Sequence, residues 1–299
     1  MIVLSEASSY LKPTPSAREL QAATEAAKLT GCRVYYIPQG FDDLENSADA
    51  FAHIPVQDRE TLGVWNGYIP TPEHYATVYQ QALEKRIHLL NTPEEHLRAQ
   101  EFDRAYMRLE GLTPKSVIVT DPDQCEEAIR SVGLPVFVKG AVQSRKARGW
   151  KACVAQSLEE VRLLTSQYLS LEGRTRGRVV IRELVPIRHV NKTALGFPIG
   201  REYRVFLYRS EILGHGYYWE GDDPLSALSV EENKAVLDLA IEAARRLDVP
   251  YVSMDIGQLE DGQWIVIESG DAQFSSVSLI PLLPLWHRIS QLTGRNTAA

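Results

Sequence analysis

The segment 251–276 has the pattern of a β-hairpin with acidic residues on both strands, and it constrains this chain more than any other stretch. Apolar and polar residues alternate through its first half, which is typical of a strand with one buried face. The dipeptide Asp261-Gly262 is typical of a two-residue type I′ turn. With those two residues as the loop, Asp255 and Glu268 are cross-strand partners, with Cβ atoms about 4.5–5.5 Å apart.

Two carboxylates in such a pair repel each other and destabilise a hairpin that holds no cation. A divalent cation between them reverses the sign, and Asp271, just past the second strand, is a third oxygen donor. Oxygen-only ligands favour Mg²⁺, which takes one or two carboxylates and completes its shell with water and phosphate oxygens. We therefore predict that Asp255, Glu268 and Asp271 bind Mg²⁺. The alternative is an exposed hairpin whose carboxylates point into water.

Composition restricts the class of protein. The chain has 299 residues, of which 44% are hydrophobic, enough for two or three lobes. It has no apolar run of about 18 residues and no signal-peptide pattern, so neither a membrane span nor secretion is predicted. The scattered Cys32, Cys125 and Cys153 argue against a disulfide framework and are typical of a cytoplasmic protein.

Charge is distributed unevenly along the chain. Residues 139–209 contain 15 Lys and Arg against 5 Asp and Glu, a local net charge of +10 in a chain whose formal net charge is −7. A basic middle within an acidic protein predicts a local anion site, the alternative being an ordinary solvated charge run.

The N-terminal third has an alternating pattern of strands and helices. Strands at Ile2–Leu4 and Arg33–Ile37 flank a helix that we predict to be capped by Ser16, and this βαβ unit predicts a parallel sheet. Its first loop lacks G-x-G-x-x-G, so no dinucleotide fingerprint is present. Residues 41–58 are predicted to be loop with short elements, and a capping box at Thr92 predicts one helix that ends near Gly111.

Two lysines bracket the polar loop in the basic middle. Lys139 ends the apolar strand PVFVKG, and Lys146 lies in the loop that follows, close to Arg145 and Arg148. Lysine suits phosphate groups as a compact point charge, although a lysine that ends a strand often just reaches water. Neither a Ser-His-Asp nor a Cys-His arrangement can be argued, so no side-chain nucleophile is predicted.

A further strand carries Glu202 and Arg204 on one face. The alternative to a functional role is a surface ladder of ion pairs, which would contribute little to stability.

The order of these segments resembles the ATP-grasp superfamily over about residues 91–292, and residues 1–90 resemble its preATP-grasp domain. The segments VKGAVQSRK, REYRVF and ESGDAQ resemble the motifs of the clade marked by one arginine and two lysines. The resemblance implies an α/β and α+β fold class, with an N-terminal preATP-grasp βαβ domain (1–90) before a two-lobed ATP-grasp domain. Its first lobe and linking helix would span 91–185, and its second lobe, with the magnesium hairpin and the tail, 186–299.

The resemblance also implies an ATP site between the two lobes and a role for each motif. Lys139 and Lys146 would contact the phosphates, and Arg204 would face the γ-phosphate or an acyl-phosphate, which makes Arg204 and Lys146 the catalytic residues. The backbone strand that would hold adenine consists of Arg182, Glu183, Leu184 and Val185. The implied magnesium ligands are Asp255, Glu268 and Asp271. Many relatives have Glu-x-Asn as the last metal motif, whereas Gly270 stands at the Asn position here.

The implied function is that of an ADP-forming carboxylate–amine ligase that requires ATP and Mg²⁺. ATP would phosphorylate a small-molecule carboxylate, and an amine or another nucleophile would attack the acyl-phosphate. The alternatives are an ATP-dependent phosphotransferase and a non-catalytic nucleotide-binding regulatory protein. The arginine run 174–178 lacks interleaved aromatic residues, which argues against a nucleic-acid partner.

Overall fold

The computed structural model describes residues 1–7, 14–40 and 44–295. The described residues form a parallel sheet, two antiparallel four-stranded sheets and a two-stranded hairpin, which confirms the predicted α/β and α+β class. No described helix is long and apolar enough to cross a membrane.

The N-terminal sheet is parallel, as predicted, with the strand order β2-β1-β3-β4. Its strands are β1 (Ile2–Ser5), β2 (Arg33–Tyr36), β3 (Thr61–Asn66) and β4 (Ile87–Leu89), and its helices are α1 (Pro15–Leu29), α2 (Leu44–Phe51) and α3 (Pro72–Glu84). The strand β3 was not predicted. Two adjacent residues of this strand, Val64 and Trp65, point to opposite faces of the sheet and are both buried. The strand therefore lacks the alternation of apolar and polar residues by which a half-buried strand is predicted.

One face of this sheet is completed by the other end of the chain. Val3 and Val64 share a hydrophobic core with Trp286 and Ile289 of α10 (Leu282–Arg295). The N-terminal sheet is therefore covered in part by residues more than two hundred positions away.

The helix α1 begins two residues earlier than predicted. Its N-cap is Thr14, whose Oγ1 accepts a hydrogen bond from Ala17 N–H at 3.1 Å, and Pro15 occupies the first helical position. The prediction of Ser16 as the cap is wrong because Thr-Pro already supplies both a side-chain acceptor and a preset φ.

Burial raises the pKa of Glu6 from 4.5 to about 7, and a hydrogen bond from Tyr68 N–H at 2.7 Å opposes this rise only in part. Glu6 follows β1 and is 4% exposed. The folded protein thus holds this proton more tightly than the unfolded chain. The stabilisation is fully present below about pH 4.5 and is lost as the pH rises through about 7.

We therefore expect Glu6→Gln to be more stable than the wild type by up to about 3 kcal/mol near pH 8 and about equal to it near pH 4.5. Urea unfolding at both pH values measures this difference, with the exposed Glu127→Gln as the control. A pH-independent difference would contradict the assignment.

Two helices, not one, link the N-terminal sheet to the rest of the chain: α4 (Pro93–Gln100) and α5 (Phe102–Leu109). The predicted single helix is broken at Glu101, which has extended backbone angles. Its buried carboxylate forms ion pairs with Arg104, Arg176 and Arg178, and Arg176 also donates to Pro70 O at 2.6 Å. One buried acidic residue therefore pairs with two partly exposed arginines of the basic run.

The second sheet has the order β5-β8-β6-β7 and is antiparallel. Its elements are β5 (Ser116–Val119), α6 (Cys125–Val132), β6 (Val136–Gly140), β7 (Val154–Ala155), α7 (Leu158–Leu169), α8 (Glu172–Thr175) and β8 (Val179–Glu183). Val136 and Val138 pack into the core with α6 and α7, so Phe137 and Lys139 face the other side of the sheet.

The third sheet has the order β12-β11-β13-β14 and is also antiparallel. The remaining elements are β9 (His189–Lys192), β10 (Pro198–Gly200), β11 (Glu202–Tyr208), β12 (Glu211–Tyr217), α9 (Val230–Leu247), β13 (Tyr251–Gln258) and β14 (Trp264–Asp271). The strands β9 and β10 form a two-stranded hairpin. The helix α9 begins with a capping box at Ser229 and covers one face of the sheet.

The acidic hairpin has the predicted pairing but not the predicted turn. Gly262 N–H donates to Leu259 O at 3.0 Å and Leu259 N–H donates to Gln263 O at 2.8 Å, so the loop contains three residues rather than two. A register shift on the far side of Ile256 then adds one residue to β14. The shift restores the pairing of Asp255 with Glu268, which is confirmed although the two-residue turn is wrong.

Candidate active site

Three charged side chains lie side by side on neighbouring strands, at one level of the third sheet. Arg204 of β11 is in register with Asp255 of β13, which is in register with Glu268 of β14; we call these three residues the charged row. Alternation places each side chain on the face that is turned away from α9. The row brings together three residues that the sequence predicts to be functional.

Arg204 and Asp255 form a buried bidentate ion pair. Arg204 donates from Nε to Oδ1 at 2.7 Å and from Nη2 to Oδ2 at 2.8 Å, and its Nη1 donates to Ser276 O at 2.8 Å. Burial by itself would lower the pKa of Arg204, but the charge and hydrogen bonds of Asp255 raise it well above its usual value. The guanidinium is therefore a permanent cation in a fixed orientation.

Glu268 has its own cation from the other lobe. Lys139 is 2% exposed and donates from Nζ to Glu268 Oε1. Burial lowers the pKa of Lys139 despite this partner. Burial would raise the pKa of Glu268, but Lys139, Lys146 and Arg182 together lower it. The site thus favours an ionised carboxylate next to lysines.

The expectation that Asp255 and Glu268 repel each other without compensation is wrong. Each carboxylate has a cation as a direct partner, Arg204 for Asp255 and Lys139 for Glu268. The two adjacent carboxylates are thus flanked by Arg204 on one side and Lys139 on the other, so that each buried negative charge lies against an opposite one.

Lys146 lies in the loop between β6 and β7, which we call the basic loop, and its side chain extends to the third sheet. Its Nζ lies 4.0 Å from Glu202 Oε2, 4.1 Å from the Tyr218 ring centroid and 5.0 Å from the Trp219 ring centroid. The loop contains only short 3₁₀ turns, so these contacts with the second lobe determine where the ammonium lies.

A cavity of about 290 Å³ lies between the second and third sheets. Its polar lining includes Lys139, Lys146, Glu202 and Glu268, and its apolar lining includes Phe137, Trp150, Leu184, Phe197 and Ile267. Such a cavity suits a ligand with a flat apolar end and an anionic end.

The end of β8 contributes the predicted adenine segment to this cavity. Arg182, Glu183, Leu184 and Val185 all line it. The side chain of Arg182 is buried: its Nη1 donates to Ile267 O at 2.8 Å, and its Cζ lies 4.1 Å from the Phe102 ring centroid. Burial lowers the pKa of Arg182 to about 10. Arg182 therefore joins the two lobes beneath the cavity.

Asp271 lies apart from the charged row. It is 0% exposed, accepts from Asn91 Nδ2 at 2.9 Å and from Gln273 N–H at 3.0 Å, and lies 2.9 Å from His96 Nδ1. Residues three apart on a strand point to opposite faces, so Glu268 and Asp271 diverge. The structure does not bring the three predicted magnesium ligands together, and it places no trio of His, Cys, Asp or Glu for a metal among residues 1–7, 14–40 and 44–295.

Sequence reasoning missed Glu202 as a member of the site. It lines the cavity and is 6% exposed, and among the described residues its Oε2 has no hydrogen-bond partner. Burial raises its pKa, opposed by Lys146. The sequence signal for Glu202 was its alternation with Arg204 in REYRVF, which puts both side chains on one face of the strand. The same pattern is typical of an exposed ladder of ion pairs. The burial of Glu202 distinguishes the two, and it depends on the other lobe, which packs above this strand.

Two loops meet over the cavity through aromatic and glycine contacts. Phe197 of the β9–β10 hairpin lies 6.1 Å from Trp150 of the basic loop and 6.3 Å from Trp219, between ring centroids. Gly149 has φ +89°, and a Cβ there would lie 2.4 Å from Leu195 O. Only glycine permits this close approach.

A larger cavity of about 780 Å³ opens between the N-terminal sheet, α1, α10 and the segment after β14. Its charged lining among the described residues consists of Glu19, Glu73, Glu172 and Arg176. The three carboxylates outnumber the one guanidinium, which is also paired with Glu101, so the lining is net negative. Ser276 lines this cavity and accepts from Arg204, so the charged row reaches from one cavity to the other.

Comparisons with known proteins identify related chains. A family model described as ATP-grasp domain, R-2K clade family 3, matches residues 124–289, more than half of the chain. A search of curated protein sequences finds no significant match.

Several solved structures share the fold along nearly the whole chain. A RimK domain ATP-grasp protein from Sphaerobacter thermophilus is 13% identical, with 97% of this chain and 98% of that chain covered and a TM-score of 0.61. A D-alanine–D-alanine ligase from Bacillus anthracis, complexed with ATP, is 12% identical, with 99% and 96% covered and a TM-score of 0.65. The ATP-grasp ligase PsnB, complexed with a minimal precursor, Mg and ADP, is 16% identical, with 98% of each chain covered and a TM-score of 0.57. At these identities the matches establish the fold.

Proposed function

Because the chain belongs to the R-2K clade of ATP-grasp domains, family 3, we propose that it is an ADP-forming ligase that joins a carboxylate to an amine at the expense of ATP. The observation that carries this proposal is the charged row, which runs from a nucleotide-sized cavity at Glu268 to a larger cavity at Ser276. In this proposal the row supplies the groups that stabilise the transferred phosphoryl group between the two substrates.

The smaller cavity is proposed to bind ATP. Lys139 and Lys146 bind phosphate oxygens, and the aromatic and aliphatic lining encloses the base. The adenine edge pairs with backbone groups at the end of β8, from Glu183 to Val185.

The donor set fits Mg²⁺ with two carboxylates instead of three. Asp255 and Glu268 are adjacent oxygen donors, and Mg²⁺ commonly takes one or two carboxylates together with phosphate oxygens. When bound, the ion neutralises phosphate charge during transfer. Each Asp255 oxygen accepts one hydrogen bond from Arg204 and has a second lone pair that could bind the ion; sharing these oxygens with the ion would weaken their hold on the Arg204 fork and favour its contact with the phosphoryl group.

The chemistry consists of two displacements. A substrate carboxylate oxygen attacks the γ-phosphorus, the bond to the bridging oxygen breaks, and ADP leaves. The amine nitrogen then attacks the acyl carbon, phosphate leaves, and the nitrogen releases a proton. Arg204 stabilises the charge on the transferred phosphoryl group, and no side-chain nucleophile is needed.

An amine is proposed as the acceptor because the larger cavity is net negative. Its carboxylates attract a cationic ammonium group and disfavour a second anion. Its volume of about 780 Å³ has room for more than one small substrate.

The decisive experiment measures ADP formation over pairs of small carboxylates and amines, with product masses determined. ADP formation that requires both partners, with a product mass equal to their condensation, supports the ligase. ADP formation with one carboxylate alone, without condensation, indicates a phosphotransferase. ATP binding without turnover over a broad panel favours a regulatory nucleotide-binding protein.

Replacing Lys139 or Lys146 by alanine is expected to weaken Mg²⁺-ATP binding by about 1.5–3 kcal/mol each, because each loses one charged hydrogen bond. Titration calorimetry measures the change, and Lys28→Ala, which removes an exposed lysine paired with Glu25, is the control. Wild-type affinity in both variants would remove the phosphate site from this cavity.

A further inference from the structure

Tyr218 lies against two cations of the site. Lys146 Nζ is 4.1 Å and Arg204 Cζ is 4.7 Å from the centroid of its ring. These cations come from different lobes, one from the basic loop and the other from the charged row. Both distances are well within the roughly 6 Å over which a cation is attracted to an aromatic face.

The Tyr218 ring is itself held in place. The backbone N–H of Tyr218 donates to Glu202 O at 2.9 Å, and Tyr218 directly follows the last residue of β12. Trp219 packs against it with ring centroids 5.2 Å apart, and Trp219 in turn lies 6.3 Å from Phe197. The main chain of Tyr218 is thus held by the sheet, and its ring by the aromatic contact with Trp219.

Lys146 has few other groups to define its position. Its ion pair with Glu202, at 4.0 Å, is too long for a hydrogen bond. Arg204 is oriented by Asp255, but that carboxylate is also a proposed magnesium ligand and is shared when the ion binds. The Tyr218 ring can remain in contact with both cations when the ion and the nucleotide bind and the partners of Asp255 change.

We propose that Tyr218 is a positioning residue for phosphoryl transfer, holding Lys146 and Arg204 at the distance that brackets the terminal phosphate. This inference rests on the proposed ATP-dependent function. The ring attracts both cations before the nucleotide arrives, so less reorganisation is needed when it binds.

The test compares nucleotides with and without the terminal phosphate. Tyr218→Leu is expected to bind Mg²⁺ and a non-hydrolysable ATP analogue about tenfold more weakly, with a smaller change for Mg²⁺-ADP. Tyr218→Phe, which keeps the ring, should restore both affinities to within about twofold. A ring-fluorinated phenylalanine at this position keeps the shape, weakens the ring's attraction for cations and should give an intermediate loss.

Controls separate this role from packing and from the function itself. Tyr36→Leu removes another tyrosine–lysine contact, 5.2 Å from Lys28 Nζ to the ring centroid, and should change neither affinity. Wild-type affinities in Tyr218→Leu, or a loss in Tyr218→Phe as large as in Tyr218→Leu, would overturn the inference. If Tyr218→Leu does not fold, the fluorinated ring decides, and unchanged affinity there overturns it. A wild type that binds no Mg²⁺-ATP would instead overturn the proposed function.

Discussion

Asp255→Asn is expected to lower the turnover of an accepted substrate pair by about 10²–10³-fold, because it removes both a proposed magnesium ligand and the partner that orients Arg204. Without metal, the same variant should have a free energy of unfolding about 3 kcal/mol lower, since one member of a buried ion pair is left without its opposite charge. The carboxamide keeps one acceptor for the guanidinium but not the charge. The two effects have the same origin in the charged row.

Unfolding in EDTA and in Mg²⁺-ATP tests both parts. The wild type should gain stability from Mg²⁺-ATP and the variant should not, because a ligand stabilises only the state that binds it. Asp238→Asn, which removes an exposed carboxylate paired with Lys234, is the matched control. Wild-type stability of Asp255→Asn in EDTA would mean that the Arg204 fork contributes nothing in solution.

Asp271→Ala is expected to reduce the free energy of unfolding by about 3–5 kcal/mol while leaving the magnesium dependence of the folded fraction unchanged. The substitution removes the acceptor for Asn91, His96 and Gln273 in a fully buried cluster. The unpaired donors are then left without water to replace it.

Urea unfolding gives the first quantity, and Mg²⁺ titration of ATP binding at a temperature where the variant is folded gives the second. Ser269→Ala is the control, because Ser269 lies on the same strand as Asp271 and the substitution removes a buried hydroxyl that donates to Ala99 O of α4. A stable Asp271→Ala variant with a much weaker magnesium dependence would make Asp271 a ligand after all.

The acidic hairpin shows how far the sequence could determine the site. The pairing of Asp255 with Glu268 was predicted correctly from an incorrect turn, because a loop that is one residue longer is offset by a bulge in β14. Turn chemistry is local and can be read from residues, but a bulge depends on the neighbouring strands and helix. The separation of Asp271 from the pair was within reach, since strand alternation already assigns positions 268 and 271 to opposite faces.

What the sequence could not provide were contacts between distant elements. Lys139, Lys146 and Arg204 were singled out from short motifs, and the structure brings all three together. The cations that neutralise the acidic pair come from β6 and β11, and no local pattern indicates that pairing. Glu202 is a site member only because Lys146 of the other lobe packs above it.

The way the two ends of the chain meet has a consequence for how this protein is made. A nascent chain that has emerged only as far as residue 90 contains all four strands of the N-terminal sheet but neither Trp286 nor Ile289, which cover Val3 and Val64. Trp65 N–H likewise lacks its acceptor until Gln273, 208 residues later, has been added. At about 5–20 residues per second, the ribosome exposes this incomplete apolar face for about 10 seconds or more before the last helix arrives. We therefore expect that residues 1–90, although proposed as a separate domain, complete their folding only after the C-terminal helix has been synthesised.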